Sequence, residues 1–522
     1  MGYSKPSIDE FLLPIVKELV ELELGILIEK AWFKFFLLFV VADKPARALL
    51  LNMKLASSFY GCLKCEIKGV SVPYGRGTHV IFKDEKKEAT IRNKINYKAN
   101  LDSSLKFSKE YKGIKGNCLL NKLKYFCPVV SCNIDLMHSI YLGVCKMLFF
   151  YWFSASATST YSLKLKLIEL NNKIGKMRPP GYVQQAPRKL DDYNKWRSHE
   201  FMNFFLFFAI PLFRDIMPNN YFQHLLLLII PLEKLVSKNI NRSELPVIDE
   251  MLNKFVTDAE TLYDIHFYTS GVHELLHLVA CTIEIGPMND TCCYQFEELN
   301  RKVTRFIKGQ DLVGDEFIKS WTISKNLGLH IFNYYLEDDD DNSFVVYIKS
   351  HFKIRSSNLK KKRETVGNFL KFGRIIKIDK DKLAIILEKI SELLNKDLDL
   401  IETEISFVVN IKLNNILYNT IENKTKFSNF VICYNNNFGL IEKIFKLDEN
   451  VYFFVRRLLF LNCSTFNNFF VHMQSKFCFY SITRSFFLIK ESEIAATKKH
   501  FMFQLENNIC LLTTFTSNHL FS

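Results

Sequence analysis

The chain has 522 residues, 48% hydrophobic, 14% aromatic and 24% charged, with 69 Lys and Arg against 55 Asp and Glu for a net charge of +14. That balance excludes a mostly disordered polymer, and the length suits about two to four domains of roughly 100–200 residues. Thirteen cysteines, an odd number in so long a chain, argue against a secreted disulfide scaffold and for a reducing compartment, while the surplus of cations favours a polyanionic partner.

No basic segment followed by an apolar one opens the chain, so no signal peptide is expected. Pro6 stands where a myristoylation motif after Gly2 wants Ser or Thr. Ile8 to Leu24 has apolar residues at helical spacing. Residues 31–42 form a dense Phe/Leu/Val run that reads as a buried strand ending at Asp43, and Pro45 opens a helix over 46–55. An acid at the C-terminal edge of a strand is where open α/β sheets collect their chemistry.

Residues 61–127, rich in Gly and Lys, read as an irregular insertion. Helices are predicted over 134–153, 196–213, 221–236, 245–262 and 272–284, with a Pro-rich loop at 171–195. An acidic linker follows at 337–341, then a basic segment at 353–377 and short strand-like pieces to the end. The apolar runs at 35–42, 147–163, 201–213 and 221–232 are too short or too broken for the ~20 residues of a membrane span. Buried core is expected of them, and no membrane partner.

Four motifs carry possible chemistry. Cys62-x-x-Cys65 supplies two thiolates that can grip one Zn²⁺, although a structural site needs four ligands; two unrelated thiols are the alternative. Asp135-x-x-His138 places both side chains on one helical face, as metal ligands or as a helix cap and an oriented imidazole. Glu200 opens an apolar helix, where a first-turn carboxylate is ordinary. His273-Glu274-x-x-His277 fits the zinc-peptidase helix, with Glu274 as general base. The basic run Lys360, Lys361, Lys362 and Arg363 suits phosphate contact or a nuclear address, or a solvated loop.

Taken in order, these pieces resemble the catalytic part of CACTA (En/Spm)-type DDE transposases over about residues 2–310. The resemblance lies in Gly2-Tyr3-Ser4-Lys5-Pro6, Asp43-Lys44-Pro45-Ala46-Arg47 and Gly61-Cys62-x-x-Cys65. It continues in Asp135-Leu136-Met137-His138 with Leu142-Gly143-Val144, and in Trp196-Arg197-Ser198-His199-Glu200-Phe201. Residues 271–300 are similar to the helical domain fused behind such transposases, where a related V-H-x-L-L-H-L run makes His273 and His277 helix-packing residues.

The resemblance implies an α-rich α/β chain with a partial RNase H-like fold, a cysteine-containing insertion, a mostly helical region and a small mixed C-terminal part. The expected divisions are 1–60 (partial core), 61–195 (insertion), 196–240 (helices returning the third acid), 241–336 (helical domain), 337–380 (charged linker) and 381–522 (mixed region). Asp43 would be the second catalytic acid and Glu200 the third, holding Mg²⁺ or Mn²⁺ for phosphodiester cleavage and strand transfer. Cys62, Cys65, Asp135 and His138 would form a structural Zn²⁺ motif.

The family's first acid lies upstream of its G-x-S-K-P motif and has no counterpart here, so the expectation is a transposable-element relative inert as a nuclease. It would meet DNA through backbone phosphates, with a homo-oligomer as a further partner and the nucleus as its location, or the cytoplasm if the basic run is no address. The alternatives are a domesticated non-catalytic DNA-binding protein, a zinc metallopeptidase and a membrane protein.

Overall fold

The computed structural model describes residues 7–83, 89–177, 187–307, 309, 313–334, 371–372, 380–397, 405–413, 416–422, 430–434, 437–448, 450–461, 477–494, 499–504 and 509–515. The chain is mostly helical, with small antiparallel sheets and a C-terminal antiparallel sheet. It forms two compact units, the first chiefly Met1–Cys293, the second chiefly Tyr294–Asn462 with Phe479–Cys510. That division falls inside the segment 241–336 expected as one helical domain.

In the first unit, helix Ile8–Leu24 starts at a reciprocal cap: Ser7 Oγ accepts from the Glu10 amide and the Glu10 carboxylate accepts from the Ser7 amide. It stops at Gly25, whose φ of 113° a side chain would resist. Leu12 and Val16 from this helix are buried against Leu51, Met53, Ile114 and Cys132.

Residues 31–42 are not the single buried strand expected. Among the described residues Ala31–Phe33 pairs only with Ile26–Ile28, and the chain then runs extended until Val40 bridges Cys132 in parallel. Trp32 and Leu38 stay 72% and 73% exposed, because a strand is buried only where a second element covers it. No RNase H-like core is identified, and the strand ladders among the described residues are antiparallel.

Helix Lys44–Leu50 is capped by Asp43 and carries Pro45 in its first turn. It ends before the expected residue 55, because Asn52 turns left-handed (φ 48°) and Met53 bridges Ile114. The insertion is more regular than its composition suggests, with a hairpin Val70–Tyr74/Gly77–Ile81 and helix Lys94–Lys106. Helix Leu167–Lys176 likewise occupies the start of the expected loop.

The centre of the unit is the apolar helix Leu136–Ser154, much of it wound wider than an α-helix. By length and composition it is the described helix able to cross a membrane, yet 67% of its apolar window is buried inside the protein, as for a core helix. Phe149 meets Trp196, Phe201, Phe204 and Phe205 edge-on or tilted at 5.0–5.7 Å between ring centroids. Ser198–Phe213, Asn219–Leu235 and Leu245–Leu262 complete the helical body close to where periodicity placed them.

In the second unit, strands Asn437–Leu447, Asn450–Leu461 and Phe477–Lys490 pair in sequence. Phe445 and Phe454 join Leu387 and Ile390 of helix Lys380–Leu394 in one buried cluster. The acidic run 337–341 and Lys360, Lys361, Lys362 and Arg363 lie outside the described residues.

Candidate metal centre

Cys62 and Cys65 sit on a turn that only glycine can open. A Cβ on Gly61 would stand 2.4 Å from the Leu55 carbonyl oxygen and 2.7 Å from that of Ser58. Arg92 fixes the turn from beneath, its Nε donating to the carbonyls of Cys62 (3.1 Å) and Cys65 (2.9 Å), and its Nη2 to those of Tyr60 and Lys112. The Lys64 amide points at Cys62 Sγ (3.4 Å), an amide dipole that favours thiolate sulfur there.

The other half comes from the helical run 270–285, capped by Thr269. Its two imidazoles, four residues apart, share a face. Cys65 Sγ lies 3.1 Å from His273 Nε2, which lies 3.2 Å from His277 Nε2. All four donor atoms fall within 4.8 Å of one another, and all four residues are buried. Around a tetrahedral Zn²⁺ with bonds of ~2.0–2.3 Å, donors stand roughly 3.3–3.8 Å apart. The cluster therefore has the ligand number and donor types of a closed structural site, and its donors lie close enough together to hold a metal such as Zn²⁺.

Burial alone would push the Cys62 thiol up, but the hydrogen bond from Cys65 and the two imidazoles outweigh it and hold Cys62 well below the ordinary thiol range. Cys65, donor to that sulfur and itself buried, is pushed up. One proton shared between two sulfurs is what a divalent ion would displace.

The sequence-based ligand set is divided between two groups. The structure brings Cys62 and Cys65 to His273 and His277, whereas Asp135 and His138 stand in a separate group with Cys293. Asp135 caps its helix by accepting from the Met137 and His138 amides, and its Oδ2 holds His138 Nδ1 at 2.6 Å. Glu274, the expected peptidase base, is buried and ion-paired with Arg47 and Lys44. Burial would raise its carboxyl, but Lys44 and Arg47 hold it below the usual range. A metal held by both sulfurs and both imidazoles would have four protein ligands, leaving no position for the water that a zinc peptidase activates.

Asp43 and Glu200 also have structural partners. Asp43 Oδ1 accepts from the Ala46 amide at 2.7 Å. Glu200 takes Arg188 Nε and Nη2 on its two oxygens (2.6 and 2.7 Å), and its Oε2 takes the Arg197 amide at 2.7 Å. The parallel bridge Val40–Cys132 nonetheless sets Asp43 and Asp135 in equivalent places, three residues beyond each bridge partner and each capping a helix. Glu200 rides on a helix tied to the Asp135 helix through Ser198 Oγ and the Met137 carbonyl (3.0 Å).

Two signals could have revealed this four-residue group: a second pair of zinc-type donors at helical spacing, and a Cys-x-x-Cys lacking its other half. Compared with protein-family models and with curated proteins, the chain matches none.

Proposed function

We propose that the chain is a non-cleaving, DNA-binding relative of DDE transposases whose first unit is clamped by Zn²⁺ at Cys62, Cys65, His273 and His277. The zinc joins the insertion to the helical run 270–285, closing a loop of about 200 residues, and is structural because its four positions are all protein. The observation that supports the transposase reading is the isolated parallel bridge Val40–Cys132, which Asp43 and Asp135 each follow by three residues, with the Glu200 helix tied to the helix that Asp135 caps. The order of the sequence motifs supports the same kinship.

Glu200 is already neutralised by Arg188, and a Mg²⁺ or Mn²⁺ ion between Asp43 and Glu200 would have to displace a bidentate guanidinium. On this reading Glu200 serves a structural role, and the net charge of +14 supports attraction to phosphate.

The test is titration of duplex DNA with the full chain over a range of salt, alongside a nicking assay in Mg²⁺ and Mn²⁺. Affinity should fall steeply and log-linearly with salt, stay within about twofold in the Asp43→Ala/Glu200→Ala variant, and come with no nicking. Absence of binding at low salt overturns the DNA reading. Metal-dependent nicking lost in the double variant overturns the non-cleaving one.

A further inference from the structure

We propose that Asp135, His138 and Cys293 form a second divalent-metal site, distinct from the closed Cys/His centre and open on one side, that takes Zn²⁺ with a water or small anion completing its shell. The inference is independent of the nucleic-acid reading.

Three donor types converge there, a carboxylate oxygen, an imidazole nitrogen and a sulfur, with all three atoms within 4.8 Å of one another. That mixed set suits a borderline-soft ion such as Zn²⁺ better than Mg²⁺ or Ca²⁺, which take oxygen. Charge also balances: one carboxylate and one thiolate neutralise one divalent cation, which would take the place of the direct Asp135 Oδ2–His138 Nδ1 contact at 2.6 Å. On binding, the Cys293 S–H proton leaves to solvent and the sulfur lone pair goes to the metal.

The donors are held from both ends. The Cys293 amide donates to Asp135 Oδ1 at 2.8 Å, orienting the carboxylate. Asn133 Nδ2 donates to Thr291 Oγ1 at 2.6 Å, tying the residue two before Asp135 to the residue two before Cys293. Such outer hydrogen bonds place the donors before any metal arrives.

The two centres differ in one respect that decides their chemistry. The Cys62/Cys65/His273/His277 group offers four buried donors, whereas this one offers three, with the His138 side chain 30% exposed on its open side. Three protein ligands and an accessible fourth position are the arrangement in which zinc keeps an exchangeable ligand.

The test uses the full chain, stripped by chelation and reloaded with Zn²⁺ or Co²⁺, with metal per chain measured by elemental analysis. Two equivalents are expected for the unaltered protein. Cys293→Ser and His138→Gln, two variants that disturb different sides of the site, should each retain one. Azide should alter the Co²⁺ visible spectrum of the unaltered protein and leave that of Cys293→Ser unchanged. One equivalent in the unaltered protein, two in both variants, or a spectrum indifferent to azide overturns the proposal.

Discussion

Glu274 and Arg47, 227 residues apart in the chain, meet as a buried ion pair. The pair fastens the helix that carries both histidine donors to the helix that Asp43 caps, and Lys44 adds a second cation to Glu274 and a hydrogen bond to Ser270 Oγ at 2.9 Å. The Glu of the H-E-x-x-H pattern is thus a fastening between the metal centre and the acid-bearing segment.

Glu274→Gln should therefore destabilise the first unit by about 3 kcal/mol, since it leaves the Arg47 guanidinium buried without its countercharge. Denaturant unfolding measures this. Zinc content should not change, because Glu274 is not among the four donors; loss of zinc in this variant would place the carboxylate in the coordination shell.

Gly61→Ala should weaken zinc binding by roughly tenfold or more, because its methyl group collides with two backbone oxygens and the turn must shift. Competition with a chromophoric chelator reads the change. An unchanged affinity would mean that the turn relaxes without moving either sulfur.

Stability should fall in acid partly through His224. It is 2% exposed, donates Nε2 to the Phe255 carbonyl at 2.8 Å and stacks on the Phe255 ring. Burial outweighs that carbonyl and depresses its pKa to about 4. A base depressed on folding binds more protons unfolded, so its penalty is absent above about pH 6.5 and grows as pH falls toward 4, reaching about 3 kcal/mol. Unfolding curves of the unaltered protein and His224→Gln should diverge across that window; parallel curves would contradict the assignment.

Glu200→Gln should cost only about 1 kcal/mol or less, since Arg188 is 35% exposed and water screens the pair. Thermal melts check it. A loss of several kcal/mol would mean that Glu200 holds more of the fold than its two arginine contacts.

Much of the helical body could be read from sequence. The apolar spacing over residues 8–24 and 245–262 placed helices Ile8–Leu24 and Leu245–Leu262, because that signal is local. The stretch 31–42 misled because apolar composition says what a segment would bury but not whether another element covers it. Cys62 and Cys65 were legible as metal donors, whereas their partners were not: 208 residues separate Cys65 from His273, and Asp135-x-x-His138 was the nearer candidate. Only the tertiary path, through the Arg47–Glu274 pair and the turn held by Arg92, brings the more distant histidines to the sulfurs.

The coordination of one zinc ion by Cys62, Cys65, His273 and His277 is examined most directly by X-ray absorption at the zinc edge of the Cys293→Ser protein. One zinc per chain with two sulfur and two nitrogen neighbours is the predicted result. A protein that folds without zinc, or a zinc shell lacking sulfur, would contradict the account.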